Sequence, residues 1–170
     1  SISKSPKPVD IVIDGYAGII VYTLIGAFAT VIIQSSSATM ALTVTALVTG
    51  QIVYINAMAI AVGANIGTAT TAALGAIVSN ANSKRMAVGL FIFKGITALI
   101  TLASLYLMID FVDYISKYLG IKSDDWAMKL AVFHTLFNLV GLLIFSFFIP
   151  KLVIFLKKLF VEDKESYITK

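Results

Sequence analysis

The fold is decided by residues 15–83, which read GYAGIIVYTLIGAFATVIIQSSSATMALTVTALVTGQIVYINAMAIAVGANIGTATTAALGAIVSNANS. These 69 consecutive residues contain no Asp, Glu, Lys, Arg or His. As helix they would extend roughly 100 Å at 1.5 Å per residue, about three times the roughly 30 Å thickness of a bilayer core. A soluble domain needs a charged surface, which so long a neutral stretch cannot provide. The stretch therefore predicts an integral membrane protein.

The composition of the whole chain supports this class. Of the 170 residues 59% are apolar and 13% are charged, about half the roughly 25% charge of a soluble domain. This excludes a disordered tail and a nucleic-acid-binding protein. No cysteine is present, which excludes disulfides and thiolate metal sites. The polar linker at residues 1–8, which is not a signal peptide, and the polar tail at residues 162–170 lead us to expect a piece of a longer polypeptide.

The first part of the neutral stretch predicts a helical hairpin. Apolar residues 9–33 end at four polar residues, 34–37, and the next apolar segment, residues 38–49, has only twelve residues before Gly50. Twelve helical residues reach roughly 18 Å, which is too short to span a bilayer. We therefore expect a re-entrant hairpin whose tip is buried in protein.

The rest of the chain predicts further helices, so the fold class is all-α. The motif GANIGT at residues 63–68 interrupts an apolar segment and favours a broken helix. Residues 86–109 and 127–149 are long enough to be full spans, and the basic, apolar residues 150–161 are typical of an interfacial helix. Basic residues at 79–85 and 150–170 indicate the cytoplasmic side, and the acidic loop 110–126 the external side. The sidedness of the N-terminus stays open.

The two polar breaks are the candidate binding site. A helix that begins near Ser37 leaves amide N–H groups without intrahelical partners, which suits an anion. The end of the preceding arm leaves carbonyls that suit a small cation, and none of residues 15–83 is a carboxylate that Ca²⁺ would favour. Neutral oxygens therefore favour Na⁺. Thr68 would cap the second half of the broken helix, and the two breaks could meet at the membrane midplane. The alternative for scattered Ser and Thr residues is helix packing.

These motifs resemble the type II sodium/phosphate cotransporter family. The resemblance is carried by QSSSAT at residues 34–39, GANIGT at 63–68, KRMA at 84–87 with LFIF at 90–93, and FHTLFN at 133–138. It covers roughly residues 16–150, so residues 9–149 are assigned to one transmembrane repeat. In that family two such halves form inverted repeats around a central site for Na⁺ and phosphate. This chain has a single QSSS, so the resemblance implies half a site, completed by a second homologous half.

The resemblance also implies the site residues and the partners. It assigns phosphate to Gln34, Ser35, Ser36 and Ser37, and Na⁺ to Gln34, Ser36, Ser37, Asn65 and Thr68. Lys94 is a further candidate for phosphate because of its full positive charge within a span. The family pattern has His and Asn where Leu90 and Lys94 stand, and Lys94 suggests the C-terminal half. It implies the bacterial inner membrane, inorganic phosphate with Na⁺ as coupling ion, no other cofactor, and a PhoU-like cytoplasmic domain as a partner of some relatives.

Two ionisable residues inside predicted spans need partners. Lys94 lies too deep to reach the interface comfortably, and Asp14 is the one carboxylate that a hydrophobic segment of this chain offers it. His134 and Asn138 lie four residues apart on one helix face and favour interhelical hydrogen bonding over proton relay. The alternatives for Lys94 are a direct role towards phosphate, a replacement of a cation site, and pairing with carbonyls or with the second half.

No catalytic constellation is present, so we expect a protein that is not an enzyme. The leading hypothesis is half of a sodium-dependent inorganic phosphate symporter. The alternatives are a channel-like oxyanion or cation pore made from assembled halves, and a membrane-anchoring module for a cytoplasmic regulatory domain.

Overall fold

The computed structural model describes residues 15–161, which form seven α-helices and no strand. The helices are α1 (Gly15–Ile33), α2 (Ser36–Val48), α3 (Tyr54–Ala76), α4 (Ala81–Ala103), α5 (Leu105–Tyr118), α6 (Trp126–Ser146) and α7 (Ile149–Leu159). By length and composition α1, α3, α4 and α6 could each cross a membrane. The chain is thus an all-helical, multi-pass membrane protein. The predicted linker at 1–8 and tail at 162–170 lie outside the described residues.

The predicted hairpin is present as a helical hairpin, with α2 as its short second arm. Gln34 makes the turn in the left-handed backbone region, with φ of 57°. Ser35 then caps α2 by accepting a hydrogen bond from the amide of Ala38 at 3.2 Å. The hydroxyls of Thr30 and Thr39 join the arms at 2.9 Å. The re-entrant position of this hairpin in a bilayer stays a prediction.

The predicted broken helix at residues 63–68 is wrong, because α3 is continuous from Tyr54 to Ala76. Its glycines serve close helix packing instead. A Cβ on Gly63 would overlap the carbonyl oxygen of Thr23, and a Cβ on Gly67 would lie 2.6 Å from the carbonyl oxygen of Ala27. Small residues four apart let helices in lipid approach to backbone contact. A glycine-rich motif therefore indicated a helix interface, not a break.

Helix α3 is the centre of the molecule. It packs against α1, α2, α4 and α6, and its residues from Asn56 to Asn65 are all buried. The core around it includes Ile19 of α1, Leu47 of α2, and Phe133 and Phe137 of α6. The outward side chains of α1 and α4, by contrast, are large and apolar, as expected of helices that face lipid or another apolar protein surface.

The predicted span at residues 86–109 is also wrong in its bounds. Helix α4 covers Ala81–Ala103, and the chain breaks at Ser104 before α5 begins. The charges of the predicted loop 110–126 explain the break. Helix α5 is amphipathic, with Val112 buried and Asp113 exposed, so it lies against α6 rather than extending the apolar span. Part of the predicted loop is therefore helix.

The last predicted elements agree with the structure to within a few residues. Helix α6 covers Trp126–Ser146 against a predicted 127–149, and α7 covers Ile149–Leu159 against 150–161. Pro150 lies in the first turn of α7, where its missing N–H costs nothing. It begins α7 after the chain has left α6 at residues 147–148.

Apart from Lys94, the charged residues between positions 15 and 161 lie at the two ends of the bundle, as the sequence predicts. The guanidinium of Arg85 donates hydrogen bonds to the carbonyl oxygen of Phe160 at 3.0 and 2.5 Å, so the basic turn at 79–85 and the end of α7 lie together. At the other end Lys129 pairs with Asp113 at 2.8 Å and lies 4.8 Å from the Trp126 ring centroid. Which end faces the cytoplasm stays a prediction.

Candidate functional site

The hairpin tip presents hydrogen-bond donors without acceptors. Within residues 15–161 the amides and hydroxyls of Ser36 and Ser37 have no hydrogen-bond partner. Ser36 is half-buried and Ser37 is exposed. These amides lie at the N-terminus of α2, where the helix dipole places partial positive charge. The first turn of α2 can therefore receive an anion.

The other side of the tip presents acceptors. The amide of Gln34 donates to the carbonyl of Thr30 at 2.8 Å, and no backbone amide among the described residues reaches the carbonyls of residues 31–33. The side-chain amide of Gln34 is exposed and has no partner within residues 15–161. Free carbonyls at a helix C-terminus suit a small cation. Donors and acceptors thus lie on either side of a two-residue turn.

A groove of about 580 Å³ brings this tip together with α3 and α4. Its lining residues come from three helices and the turn: Val31, Gln34, Thr68, Thr71, Ala72, Leu74, Gly75 and Leu90. Two predicted site residues, Gln34 and Thr68, therefore share one groove. Leu90 is the position where the family resemblance leads us to expect His, and it makes the α4 wall of the groove apolar.

Thr68 does not cap a helix as the broken-helix prediction required. Its hydroxyl donates to the carbonyl of Ala64 at 3.0 Å within the continuous α3. That bond occupies the hydroxyl proton and leaves the oxygen lone pairs towards the groove as acceptors. Thr71, one turn further, donates in the same way to the carbonyl of Thr68 at 2.9 Å. Both threonines can offer hydroxyl oxygen to a cation or accept from a protonated oxyanion.

Asn65 does not lie among the residues that line the groove. It is buried, and its amide nitrogen donates to Oδ1 of Asn138 on α6 at 3.4 Å. The amide nitrogen of Asn138 donates in turn to the carbonyl of His134 at 2.8 Å. Asn138 was not among the predicted site residues. The feature of the sequence that could have identified Asn138 is its amide side chain within an apolar span, where an unpaired polar group is costly.

Lys94 also lies apart from the groove lining. It is half-buried on α4, one turn beyond Leu90. Among residues 15–161 it has no hydrogen-bond or ion-pair partner. Its predicted partner Asp14 lies outside the described residues. The His134 ring stacks on Phe137, with centroids 5.4 Å apart, and its backbone carbonyl accepts an intrahelical hydrogen bond from Asn138.

The donor set of the site is neutral. Residues 15–161 contain no group of three His, Cys, Asp or Glu side chains that could hold a metal ion. A cation at the tip would have to be held by carbonyl, amide and hydroxyl oxygens, which suit Na⁺ better than Zn²⁺ or Ca²⁺.

We predict that Asn138→Ala lowers the thermal stability of the protein in detergent, by about 1 kcal/mol in free energy of unfolding, because it leaves the buried amide of Asn65 unpaired. Thr135→Ala is the matched control, since Thr135 is exposed on the same helix and donates only to the carbonyl of Ala131. Thermal unfolding followed by size-exclusion chromatography would compare them. Equal losses in both variants would contradict a role for the Asn65–Asn138 link.

Comparison with known proteins relates the chain to phosphate transport. It is 31% identical over 147 residues to a protein of Escherichia coli (strain K12) named "Putative inorganic phosphate export protein YjbB", which covers 86% of this chain and 26% of that protein. The protein of the same name from Salmonella typhimurium is 31% identical over 142 residues. No family model and no solved structure matches the chain.

A relative from Bacillus subtilis (strain 168), "Uncharacterized protein YqeW", is 33% identical over 122 residues, which is 72% of this chain and 38% of that protein. The chain thus spans about a quarter to two-fifths of the length of these relatives. The helical membrane-type fold and the transport names of the relatives agree with the prediction that the chain is not an enzyme. Over most of its length the chain is similar to proteins named for inorganic phosphate export.

Proposed function

We propose that this chain forms one half of a sodium-dependent inorganic phosphate transporter and binds phosphate and Na⁺ at the hairpin tip. The observation that carries the proposal is the groove that Gln34 shares with Thr68 and Thr71 of α3; the unpaired donors of the α2 N-terminus follow Gln34 in the chain. The names of the relatives support phosphate as the substrate.

Phosphate would be bound by the donors of the tip. The free backbone amides of Ser36 and Ser37, the hydroxyls of these two serines and the side-chain amide of Gln34 can donate to the phosphate oxygens. The α2 dipole favours the negative charge of phosphate. The hydroxyl of Ser35 is occupied as the cap of α2, so Ser35 would shape the tip rather than hold the anion. This division of roles is a refinement of the sequence prediction, which assigns all three serines to phosphate.

Na⁺ would be bound by the acceptors next to the anion. Val31, with its free carbonyl, Gln34, with its side-chain oxygen, and Thr68, with its hydroxyl, line the same groove, and the free carbonyls of residues 32 and 33 follow Val31 in the chain. A cation next to the anion offsets its charge in a medium of low dielectric constant, which couples the binding of the two ions. Asn65 would act from behind this site through the link between α3 and α6.

Lys94 would supply the full positive charge that the tip lacks. An ammonium without a partner inside a membrane segment is costly, and phosphate arriving in the neighbouring groove would offset that cost. The exposed apolar face of α1 would pack against a second, homologous half, which completes the site. We place the transporter in the bacterial inner membrane, and a PhoU-like domain remains an expected partner of some relatives.

Transport by the full-length protein in proteoliposomes would test the proposal. Labelled phosphate inside or outside the vesicles should cross the membrane at least tenfold faster with a Na⁺ gradient than with an equal K⁺ gradient. Loading the phosphate on either side separates import from export, and the relatives are named for export. Labelled sulfate serves as the substrate control.

Each alternative predicts a different result. A phosphate flux that does not depend on the Na⁺ gradient would contradict the proposal of a sodium-coupled transporter. An ion conductance that does not depend on Na⁺ would favour the channel-like pore. Absence of any phosphate flux in vesicles that contain correctly folded protein would favour the membrane-anchoring module.

A further inference from the structure

A second groove of about 580 Å³ lies at the basic end of the bundle, and the proposed function does not use it. It is lined by residues of α3, α4, α6 and α7 and of the turn before α4, among them Ser79, Ser83, Met86, Phe93, Phe145 and Leu152. We call it the α4–α7 groove. Its volume is within the roughly 300–1,000 Å³ of small-molecule sites.

The polarity of the groove is uneven. Ser79 and Ser83 are its polar side chains, and both belong to the region where α3 gives way to α4. The remaining wall is aliphatic and aromatic, with Phe93 and Phe145 in contact at a centroid distance of 4.9 Å. A ligand that fills the groove would therefore have a long apolar part and one polar end near the α3–α4 turn.

The charge around that polar end is positive. Lys84 and Arg85 follow Ser83 directly, and the bond from Arg85 to the carbonyl of Phe160 brings the end of α7, with Lys157 and Lys158, to the same place. The acidic residues between positions 15 and 161 all lie at 110–125, at the other end. This end of the bundle thus has several cations; the acidic residues Glu162, Asp163 and Glu165 follow α7 in the sequence, outside the described residues.

We propose that the α4–α7 groove binds an anionic phospholipid, with an acyl chain along the apolar wall and the headgroup phosphate at Ser79, Ser83 and the surrounding basic residues. Basic pockets between membrane helices on the cytoplasmic side are known recognition sites for anionic headgroups. The apolar wall favours a lipid over free phosphate, because free phosphate has no apolar part that could contact this wall. Ala72, Gly75 and Leu90 also line the proposed binding groove at Gln34, so the lipid would lie next to that groove.

The proposed binding of the headgroup is tested by removing positive charges near it. Lys84→Gln with Lys157→Gln should weaken the binding of phosphatidylglycerol to the full-length protein about tenfold or more, because each cation near an anionic headgroup contributes several-fold in affinity. Lys117→Gln with Lys122→Gln is the matched control, since it removes the same charge from exposed positions at the opposite end. Native mass spectrometry with phosphatidylglycerol and phosphatidylcholine would measure binding. Equal effects of the two double variants, or equal retention of both lipids by the natural protein, would overturn the proposal.

The position is tested by fluorescence. Trp126 is the sole tryptophan of these 170 residues. Trp126→Phe, with any tryptophan elsewhere in the full-length protein also replaced by Phe, gives a dark background for Met86→Trp in the groove, or for Leu107→Trp at an exposed position of α5 as control. Brominated phosphatidylglycerol should quench the fluorescence of the Met86→Trp variant at least twice as strongly as brominated phosphatidylcholine does, and the two lipids should quench the Leu107→Trp variant equally. Equal quenching of residue 86 by both lipids would overturn the proposal. So would the absence of quenching there, which would indicate that another part of the protein fills the groove.

Discussion

Replacing Gln34 by glycine should reduce phosphate transport at least tenfold and leave the fold intact. Gln34 has a backbone φ of 57°, a conformation that glycine adopts without strain. The exchange therefore keeps the turn between α1 and α2 and removes only the side-chain amide, which is exposed in the proposed binding groove. Initial rates of labelled phosphate flux in proteoliposomes, at several Na⁺ concentrations, would measure the loss.

Gln34→Asn is the matched variant. Asparagine also tolerates the left-handed region and keeps an amide one methylene shorter, so it should retain transport at an intermediate rate. If the tip binds both ions, Gln34→Gly should raise the half-saturating concentrations of phosphate and of Na⁺ together. Full transport by Gln34→Gly would contradict a role for this side chain, and equal loss in both variants with reduced thermal stability would indicate a purely structural role in the turn.

Replacing Gly63 by leucine should prevent normal folding of the protein. Any Cβ at this position would overlap the carbonyl oxygen of Thr23, and the backbone amide of Ala27 lies 2.9 Å away. Because the neighbours are backbone atoms, they cannot move aside as side chains do. Overpacking a core costs typically 1–3 kcal/mol, and separating α1 from α3 should cost at least about 3 kcal/mol, a large part of the roughly 5–15 kcal/mol of a typical native state.

Gly95→Leu is the control for this variant, because a Cβ on Gly95 has no neighbour within 4 Å. Both exchanges lie within helices and gain the same roughly 0.8 kcal/mol of helix propensity, so their difference isolates packing. Fluorescence-detected size-exclusion chromatography of both variants in detergent should show a monodisperse peak for Gly95→Leu and aggregate or no protein for Gly63→Leu. A well-folded Gly63→Leu variant would contradict the close approach of α1 and α3.

Hydropathy determined the class of the protein and most of the helices. The 69-residue neutral run allows only a membrane environment, because its backbone must satisfy its own hydrogen bonds as helix where water is absent. The polar residues 34–37 determined the place of the turn, since Ser35 is a strong N-cap and four polar residues end an apolar helix. Periodicity and charge placed α7 to within two residues. These features are local, so sequence alone predicts them.

The motif at residues 63–68 shows where local reasoning ends. Glycine permits a break, and it equally permits a neighbouring helix to approach; only the position of α1 against α3 decided between the two. The bounds of α4 depended in the same way on α5, which could leave the apolar span because α6 offers Lys129 to Asp113. The link between Asn65 and Asn138 joins residues 73 positions apart, and no spacing rule connects them.

The sequence by itself determined that the chain is a helical membrane protein with a polar hairpin tip. The reason is that the free-energy cost of burying a polar or charged group in lipid depends on the type of each residue. The tertiary structure alone decided that α3 is unbroken, that Gln34 and Thr68 line one groove, and that Asn65 and Lys94 do not line it. Those facts depend on which helix surfaces meet. Which helix surfaces meet depends on how closely their backbones fit together in three dimensions, and the order of residue types along the chain does not give that fit.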